Sequence, residues 1–312
     1  MPYPYDIETI NRRCKDSPIV FAKECEAIYN RKVMEAAADI AERSEFCPIV
    51  FLSGPSGSGK TTTAHKICDA VKGLGIHTHI VSLDKYYLEH NANTPRTEDG
   101  EIDLESPHCL DLALLDEHLT ALEHGEEIAV PHFSFTRQIR DPKKSMPLKL
   151  GKDEIVIFEG IHALNDMIAD GHSGAYKLYI SARSDVVENG ELCFKRTWTR
   201  LLRRIVRDEL FRGYGASKTL SLWANVREGE KKYISPFKYK ADLLFDSSMG
   251  YEVPIMKKYA VKALENVPDG TERLSELQEL LPALMEFEEI DSKLVPEDSI
   301  LREFIGGLIY YK

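Results

Sequence analysis

Residues 54–61 read Gly-Pro-Ser-Gly-Ser-Gly-Lys-Thr, and few stretches of eight residues restrict a fold more tightly. They match G-x-x-x-x-G-K-[ST], and the flanks fit the pattern. An apolar run, Ile49 to Leu52, reads as a buried strand before the loop, and Thr62 to Val71 as a helix after it. Glycines let successive backbone N–H groups turn onto a phosphate with no Cβ in the way. The helix N-terminus adds partial positive charge, Lys60 reaches the β- and γ-phosphates, and Thr61 offers a hydroxyl to Mg²⁺. Gly54, Pro55, Ser56, Gly57, Ser58, Gly59, Lys60, Thr61 and Thr62 are therefore expected to hold a nucleoside triphosphate, ATP or GTP.

The rest of the chain supplies the scaffold for such a loop. Residues 18–45 carry apolar positions at helical spacing and predict one or two amphipathic helices before the first core strand. His77 to Leu83 reads as a second strand that delivers Asp84-Lys85-Tyr86-Tyr87 at its C-terminal end, where ligands bind in open α/β sheets. Ser106-Pro107 predicts a helix start, running through Leu122 to Gly125. Ile128 to Phe135 alternates as a hairpin strand would, and Arg137 to Pro147 reads as a basic turn. Ile155 to Phe158 is a third buried strand ending in Glu159, Lys177 to Ala182 a fourth, and Ala241 to Phe245 a fifth.

Strands alternating with helices predict an α/β P-loop fold: a mostly parallel five-stranded sheet flanked by helices, with a β-hairpin insertion and helical terminal extensions. The expected division is 1–46, 47–265 and 266–312, the last a mostly helical extension packed on the core, with turns at Pro268-Asp269-Gly270 and Pro296-Glu297-Asp298.

Between Arg196 and Arg212 the chain concentrates arginine in an otherwise acidic sequence of net charge −11. As a helix, Arg200, Arg204 and Arg207 share one face, with Leu201, Leu202, Ile205 and Val206 on the apolar side. The acidic balance argues against a nucleic-acid partner and against anionic membranes. No apolar run approaches the roughly 18 residues of a membrane helix, and Met1 to Glu8 has no signal pattern, so a cytoplasmic protein is expected. Six scattered cysteines read as reduced, buried thiols.

A phosphate loop alone states only that a nucleotide binds. The base-reading and switch motifs of GTPases and the L-S-G-G-Q of transport ATPases are missing from their expected places. What is present is an acid after the second strand (Asp84), an acid on the third (Glu159) and the arginine-rich helix. Phosphoryl transfer asks for positioning and charge neutralisation. Asp84 can accept a proton from an attacking hydroxyl, and arginines can stabilise the transferring group.

The ordered segments resemble the uridine kinase/phosphoribulokinase family of P-loop kinases over residues 48–256. They are residues 54–62, Ser82-Leu83-Asp84-Lys85-Tyr86-Tyr87, Leu104-Glu105-Ser106-Pro107, Val130 to Phe135, Ile157 to Ile161, and Arg200 to Asp208. The tail, through Leu301-Arg302-Glu303-Phe304-Ile305-Gly306-Gly307, resembles a bacterial uridine kinase-like nucleoside kinase branch.

The resemblance implies Asp84 as the catalytic base, with Lys60, Arg204 and Arg207 in the catalytic set. It implies Thr61, Glu159 and Asp84 at Mg²⁺, and Tyr87, Glu105 and Arg204 on the ribose side of the acceptor. Arg207 and Arg212 would belong to a lid over the phosphates. Phe133 and Gln138 stand where uridine kinases carry the base-reading tyrosine and histidine, and Tyr214 where a lid arginine is usual. The expected activity is transfer of the γ-phosphate to a primary hydroxyl, first among them the 5′-OH of uridine or cytidine, in a possible homo-oligomer. Two rivals stay open: a kinase of a non-nucleoside alcohol, and a nucleotide sensor without transfer.

Overall fold

The computed structural model describes residues 4–97, 100–265, 267–268, 271 and 274–311. Two helices, α1 (Ile7–Asp16) and α2 (Pro18–Arg43), precede the sheet. Asp6 caps α1 by accepting from the Thr9 N–H, and Pro18 opens α2 at the position where its missing N–H costs nothing. Five apolar runs then pair into one sheet: β1 (Ile49–Ser53), β2 (His77–Ser82), β3 (Glu154–Glu159), β4 (Tyr176–Ser181) and β5 (Leu243–Asp246). Their order is β5-β4-β1-β3-β2, and every pairing is parallel. The loop-bearing strand β1 is thus central.

Period-two alternation sends each strand's side chains to two separate cores. Val50, Leu52, Ile155, Ile157 and Leu178 face one core, which they share with α1, α2 and the C-terminal segment. Ile49, Phe51, Val156 and Phe158 face the other, shared with α4 (Leu112–Glu123) and the hairpin region. Burial on both faces explains why these strands read as continuous apolar runs. Between β1 and β2 lies α3 (Lys60–Gly73); after β4 come α5 (Arg196–Arg207) and α6 (Ala216–Gly229), and after β5 comes α7 (Glu252–Leu264).

Several local readings are corrected. Ser106 caps only a short 3₁₀ turn, Pro107–Cys109; α4 starts later, with Asp111 accepting from the Leu114 N–H. Ile128 to Phe135 is not one strand. Ile128–Val130 pairs with Met146–Leu148, and Phe133–Ser134 with Ile139–Arg140, because Pro131 interrupts the run. The expected turn at Arg137 to Pro147 therefore contains one return strand, Ile139–Arg140, and the start of the other, Met146–Leu148. A small sheet formed by Tyr5–Asp6, Val186–Glu188 and Glu191–Phe194 gave no sequence signal, its strands being two to four residues long.

The C-terminal segment is less helical than the sequence suggests. It contains α8 (Leu274–Met285), and after that only short turns and the four-residue helix Arg302–Ile305. Asp269 and Gly270 of the expected turn lie outside the described residues. Among the described residues, no helix is long and apolar enough to cross a membrane.

Candidate active site

The loop Gly54–Gly59 joins β1 to α3, and three arginines of α5 hold it, two by its backbone and one by the Ser56 side chain. Arg200 Nε donates to the Ser56 carbonyl at 3.2 Å, and Arg203 Nη1 to the Gly57 carbonyl at 3.2 Å. Arg204 Nη1 donates to Ser56 Oγ. Anchoring the Ser56 and Gly57 carbonyls fixes the orientation of those peptides, which a phosphate-binding loop requires. Gly59 sits at φ +84°, and a Cβ there would lie 2.1 Å from Ile300 Cδ1, so glycine is needed for both backbone and space.

Two of the three arginines have a buried acidic counterpart. Arg200 pairs with Glu230 at 2.8 Å, while Arg203, fully buried, pairs with Glu252 at 2.7 Å and donates to the Ser247 carbonyl at 2.8 Å. The sequence reading gave Arg203 no place on the shared face; the structure gives it a loop-supporting position. Its partners lie 44 and 49 residues away, too far for local spacing to reveal.

In front of the loop is a cavity of about 780 Å³. Ser56, Gly57, Gly59, Lys60 and Thr61 line one wall, with Asp84 and Glu159 at one end. The two acids come from neighbouring strands: Ser82 is in register with Glu159, and Asp84 lies in the 3₁₀ turn Leu83–Tyr86 that follows β2. Arg207 and Arg212 line the same cavity, Arg212 on the π-helical turn Asp208–Arg212 and within electrostatic reach of Asp84. Buried Asp208 organises this turn, receiving Arg207 at 3.1 Å and the Thr219 hydroxyl at 3.2 Å.

The electrostatics are coupled. Burial raises the pKa of Glu159 and of Asp84, and Lys60 offsets both; Arg212 also offsets Asp84. Burial lowers the Lys60 ammonium, while Glu159, Asp84 and Glu303 hold it up. Hard oxygen donors from Thr61, Glu159 and Asp84 around one cavity suit Mg²⁺, which binds through one or two carboxylates plus substrate phosphates.

The residues expected on the acceptor side lie outside this cavity's lining. Tyr87 and Phe133 are both buried, with ring centroids 5.8 Å apart, and Phe135 packs edge-on to each. The Tyr87 hydroxyl donates to the Leu104 carbonyl at 3.0 Å. Glu105 lies within electrostatic reach of Arg204 and Lys60; burial lifts its pKa to about 7, and its Oε2 has no hydrogen-bond partner. Arg204 Nε is likewise unpartnered, and burial lowers that guanidinium to about 10.

Gln138 is exposed, at φ +57°, and its Nε2 donates to the Phe135 carbonyl at 2.7 Å, so it serves its own turn. Tyr214 is exposed. The Thr62 hydroxyl is fully buried and donates to Glu303 Oε2 at 2.6 Å, leaving its backbone as the part that can meet a phosphate.

A phosphate loop with acids on the two neighbouring strands and arginines opposite defines a phosphotransferase that acts on a hydroxyl group. The sequence pattern of the Phosphoribulokinase / Uridine kinase family matches residues 49–253, and the chain belongs to that family. It is 28% identical over 194 residues to a uridine kinase of Halobacterium salinarum, covering 62% of this chain and 77% of that protein. It is also 28% identical to a uridine kinase of Staphylococcus haemolyticus, covering 66% of this chain and 91% of the other. A crystal structure of a putative fructose transport system kinase from Silicibacter shares the fold, with TM-score 0.50 and 20% identity, covering 68% of this chain and 98% of that one.

Proposed function

We propose that this enzyme transfers the γ-phosphate of ATP or GTP, with Mg²⁺, to the 5′-OH of a pyrimidine nucleoside. The observation that carries the reading is the convergence of Lys60, Thr61, Asp84 and Glu159 on one cavity, faced by Arg207 and Arg212. Asp84 takes the proton of the incoming hydroxyl, which contributes about 10²–10⁴-fold. Lys60, Arg207 and Arg212 neutralise charge on the transferring group, an effect that reaches about 10³–10⁵ for a well-placed arginine. Thr61 and Glu159 would hold Mg²⁺, whose part is to neutralise the phosphate oxygens.

Support for a nucleoside acceptor comes from polar atoms that lack partners. Glu105 Oε2 and Arg204 Nε are buried without hydrogen bonds, and such groups are costly unless a ligand engages them. Vicinal ribose hydroxyls supply the donors and acceptors these atoms need. Phe135, half exposed and packed edge-on to buried Tyr87 and Phe133, offers a flat apolar face to a base. The relatives named uridine kinase support the same choice.

The outward placement of Gln138 favours a second reading, a non-nucleoside alcohol, because no base-reading amide then stands at that turn. A coupled ADP-release assay across uridine, cytidine, purine nucleosides, sugars and pantothenate-like alcohols tests both. Uridine- or cytidine-dependent release supports the first reading. Release with only sugars or simple alcohols replaces the acceptor, and no release with any compound overturns the reading.

A further inference from the structure

The phosphate loop fixes which way a nucleotide must lie. With its γ-phosphate toward Asp84 and Glu159, a triphosphate on the loop would set its α-phosphate at the start of α3, near Thr61 and Thr62. The nucleoside must therefore leave the loop on the Thr62 side. That side is occupied by the C-terminal segment, which runs along one face of α3.

Lys66 pairs with Asp298 while itself nearly buried, Ile300 abuts Gly59, Thr62 donates to Glu303, and the Tyr310 hydroxyl donates to Asp69 at 2.9 Å. Positions 62, 66 and 69 recur at i, i+4 and i+7, so the segment is docked along one stripe of the helix. Arg302 stiffens it from within, donating to the carbonyls of Ser292 (3.2 Å), Val295 (3.1 Å) and Gly306 (3.3 Å).

This docked segment lines the same cavity as the loop, through Glu303, Gly306, Gly307 and Leu308. Gly306 and Gly307 have φ of +91° and +82°, which keeps a side-chain-free backbone at the wall. Phe211, from the turn that also carries Arg212, presses on Gly306 so closely that a Cβ there would lie 2.7 Å from its ring. Phe211 is nonetheless 56% exposed, so a large aromatic face borders the cavity. Glu303 lies within electrostatic reach of Lys60, and the wall beyond it, Gly306 to Leu308, has no charged side chain and suits the uncharged half of a nucleotide.

We infer that Phe211, Gly306, Gly307 and Leu308 form the slot for the donor nucleotide's planar base, with the free oxygen of Glu303 beside the donor ribose. The inference rests on the nucleotide-dependent kinase reading above and assigns the donor's non-phosphate half to the C-terminal segment.

Calorimetric titration of the full chain with Mg-ATP and, separately, with magnesium tripolyphosphate tests it. Both probes reach the phosphate loop, but only ATP carries a base. Phe211→Ala should weaken ATP about 5- to 150-fold, the range for losing one aromatic stacking partner, and leave tripolyphosphate within twofold. Phe211→Tyr keeps the ring and should keep ATP affinity. Equal weakening of both probes by Phe211→Ala, or no weakening of either, overturns the slot while leaving the phosphate site standing. Wild-type protein that binds ATP no more tightly than tripolyphosphate overturns it as well. If wild type binds neither probe, the nucleotide reading falls and the slot falls with it.

Discussion

Replacing Arg203 with methionine tests whether the arginine helix is part of the phosphate loop's architecture. The side chain is fully buried, and it links three otherwise separate parts of the site. Its guanidinium holds Glu252 at 2.7 Å, the Gly57 carbonyl at 3.2 Å and the Ser247 carbonyl at 2.8 Å. Ser247 in turn donates its hydroxyl to the Ser58 carbonyl at 2.8 Å, so the loop is tied at two successive peptides. Charged hydrogen bonds contribute about 1.5–3 kcal/mol each, but their sum overstates the loss. Glu252 keeps the Met249 N–H at 2.8 Å, and methionine refills most of the apolar volume.

Removing one partner of a buried ion pair costs about 3–5 kcal/mol, because the other charge stays buried and unpaired. That is roughly a 10²- to 10⁴-fold shift in the folding equilibrium. Urea unfolding followed by circular dichroism gives the stability, and Mg-ATP titration reports whether the loop keeps its shape. The double variant Arg203→Met/Glu252→Gln removes the stranded charge and should recover at least about 1 kcal/mol, a coupling typical of residues in direct contact. A single variant less than about 1 kcal/mol weaker than wild type, with unchanged ATP affinity, would refute the argument, as would a double variant no better than the single one.

Asp84→Asn should lower turnover by about 10²–10⁴-fold while ATP affinity stays within about threefold; near-wild-type turnover would remove Asp84 from the role of base. Because burial raises the Asp84 carboxyl, the acid limb of the turnover–pH profile should sit above the ordinary carboxylate range, and a limb within that range would contradict the assigned environment. Glu105, lifted from 4.5 to about 7 by burial, favours folding fully below its unfolded pKa, and that contribution is lost as pH rises through 7. Glu105→Gln should accordingly gain about 1–3 kcal/mol relative to wild type between pH 5 and pH 8.5 in urea titrations; an equal difference at both pH values would refute it. Arg207→Ala should reduce turnover by at least about 10²-fold with a much smaller effect on ATP binding, measured by steady-state kinetics beside calorimetry.

Much of the frame was legible because it rests on local signals. Buried parallel strands are continuous apolar runs, and Ile49–Ser53 and Glu154–Glu159 could be read that way directly. The strand-end acids Asp84 and Glu159 followed from the same reading, since a strand's C-terminal end fixes where its next residue stands. Contacts between distant segments were not legible. Arg200, Arg203 and Arg204 read as a helix face, yet which of them touch Ser56 and Gly57 depends on how α5 crosses the loop. Turn chemistry misled at Ser106, where a cap residue followed by proline suits a single 3₁₀ turn as well as an α-helix. The segment Leu301 to Gly307 could be noticed as a pattern, but nothing in its spacing points to Thr62 or Phe211 as its neighbours.

An acidic chain of net charge −11 must bind a polyanion, and the site shows how the conflict is resolved. Arg200 and Arg203 are each matched by a buried glutamate, and Arg207 by Asp208, so most of the arginine charge is balanced locally. Arg200 and Arg203 act on the backbone: they engage the loop's Ser56 and Gly57 carbonyls, a contribution that the distant surface charge hardly disturbs. Burial lowers the Lys60 ammonium, and Asp84, Glu159 and Glu303 offset part of that effect; the first two are the acids proposed for proton and metal. Removing an acid should therefore affect Lys60 as well as its own task, and single substitutions among these residues will not be additive. On the proposed reading the chain's overall sign is a poor guide to its ligand, because preorganised peptides and one lysine flanked by acids would supply the affinity for phosphate.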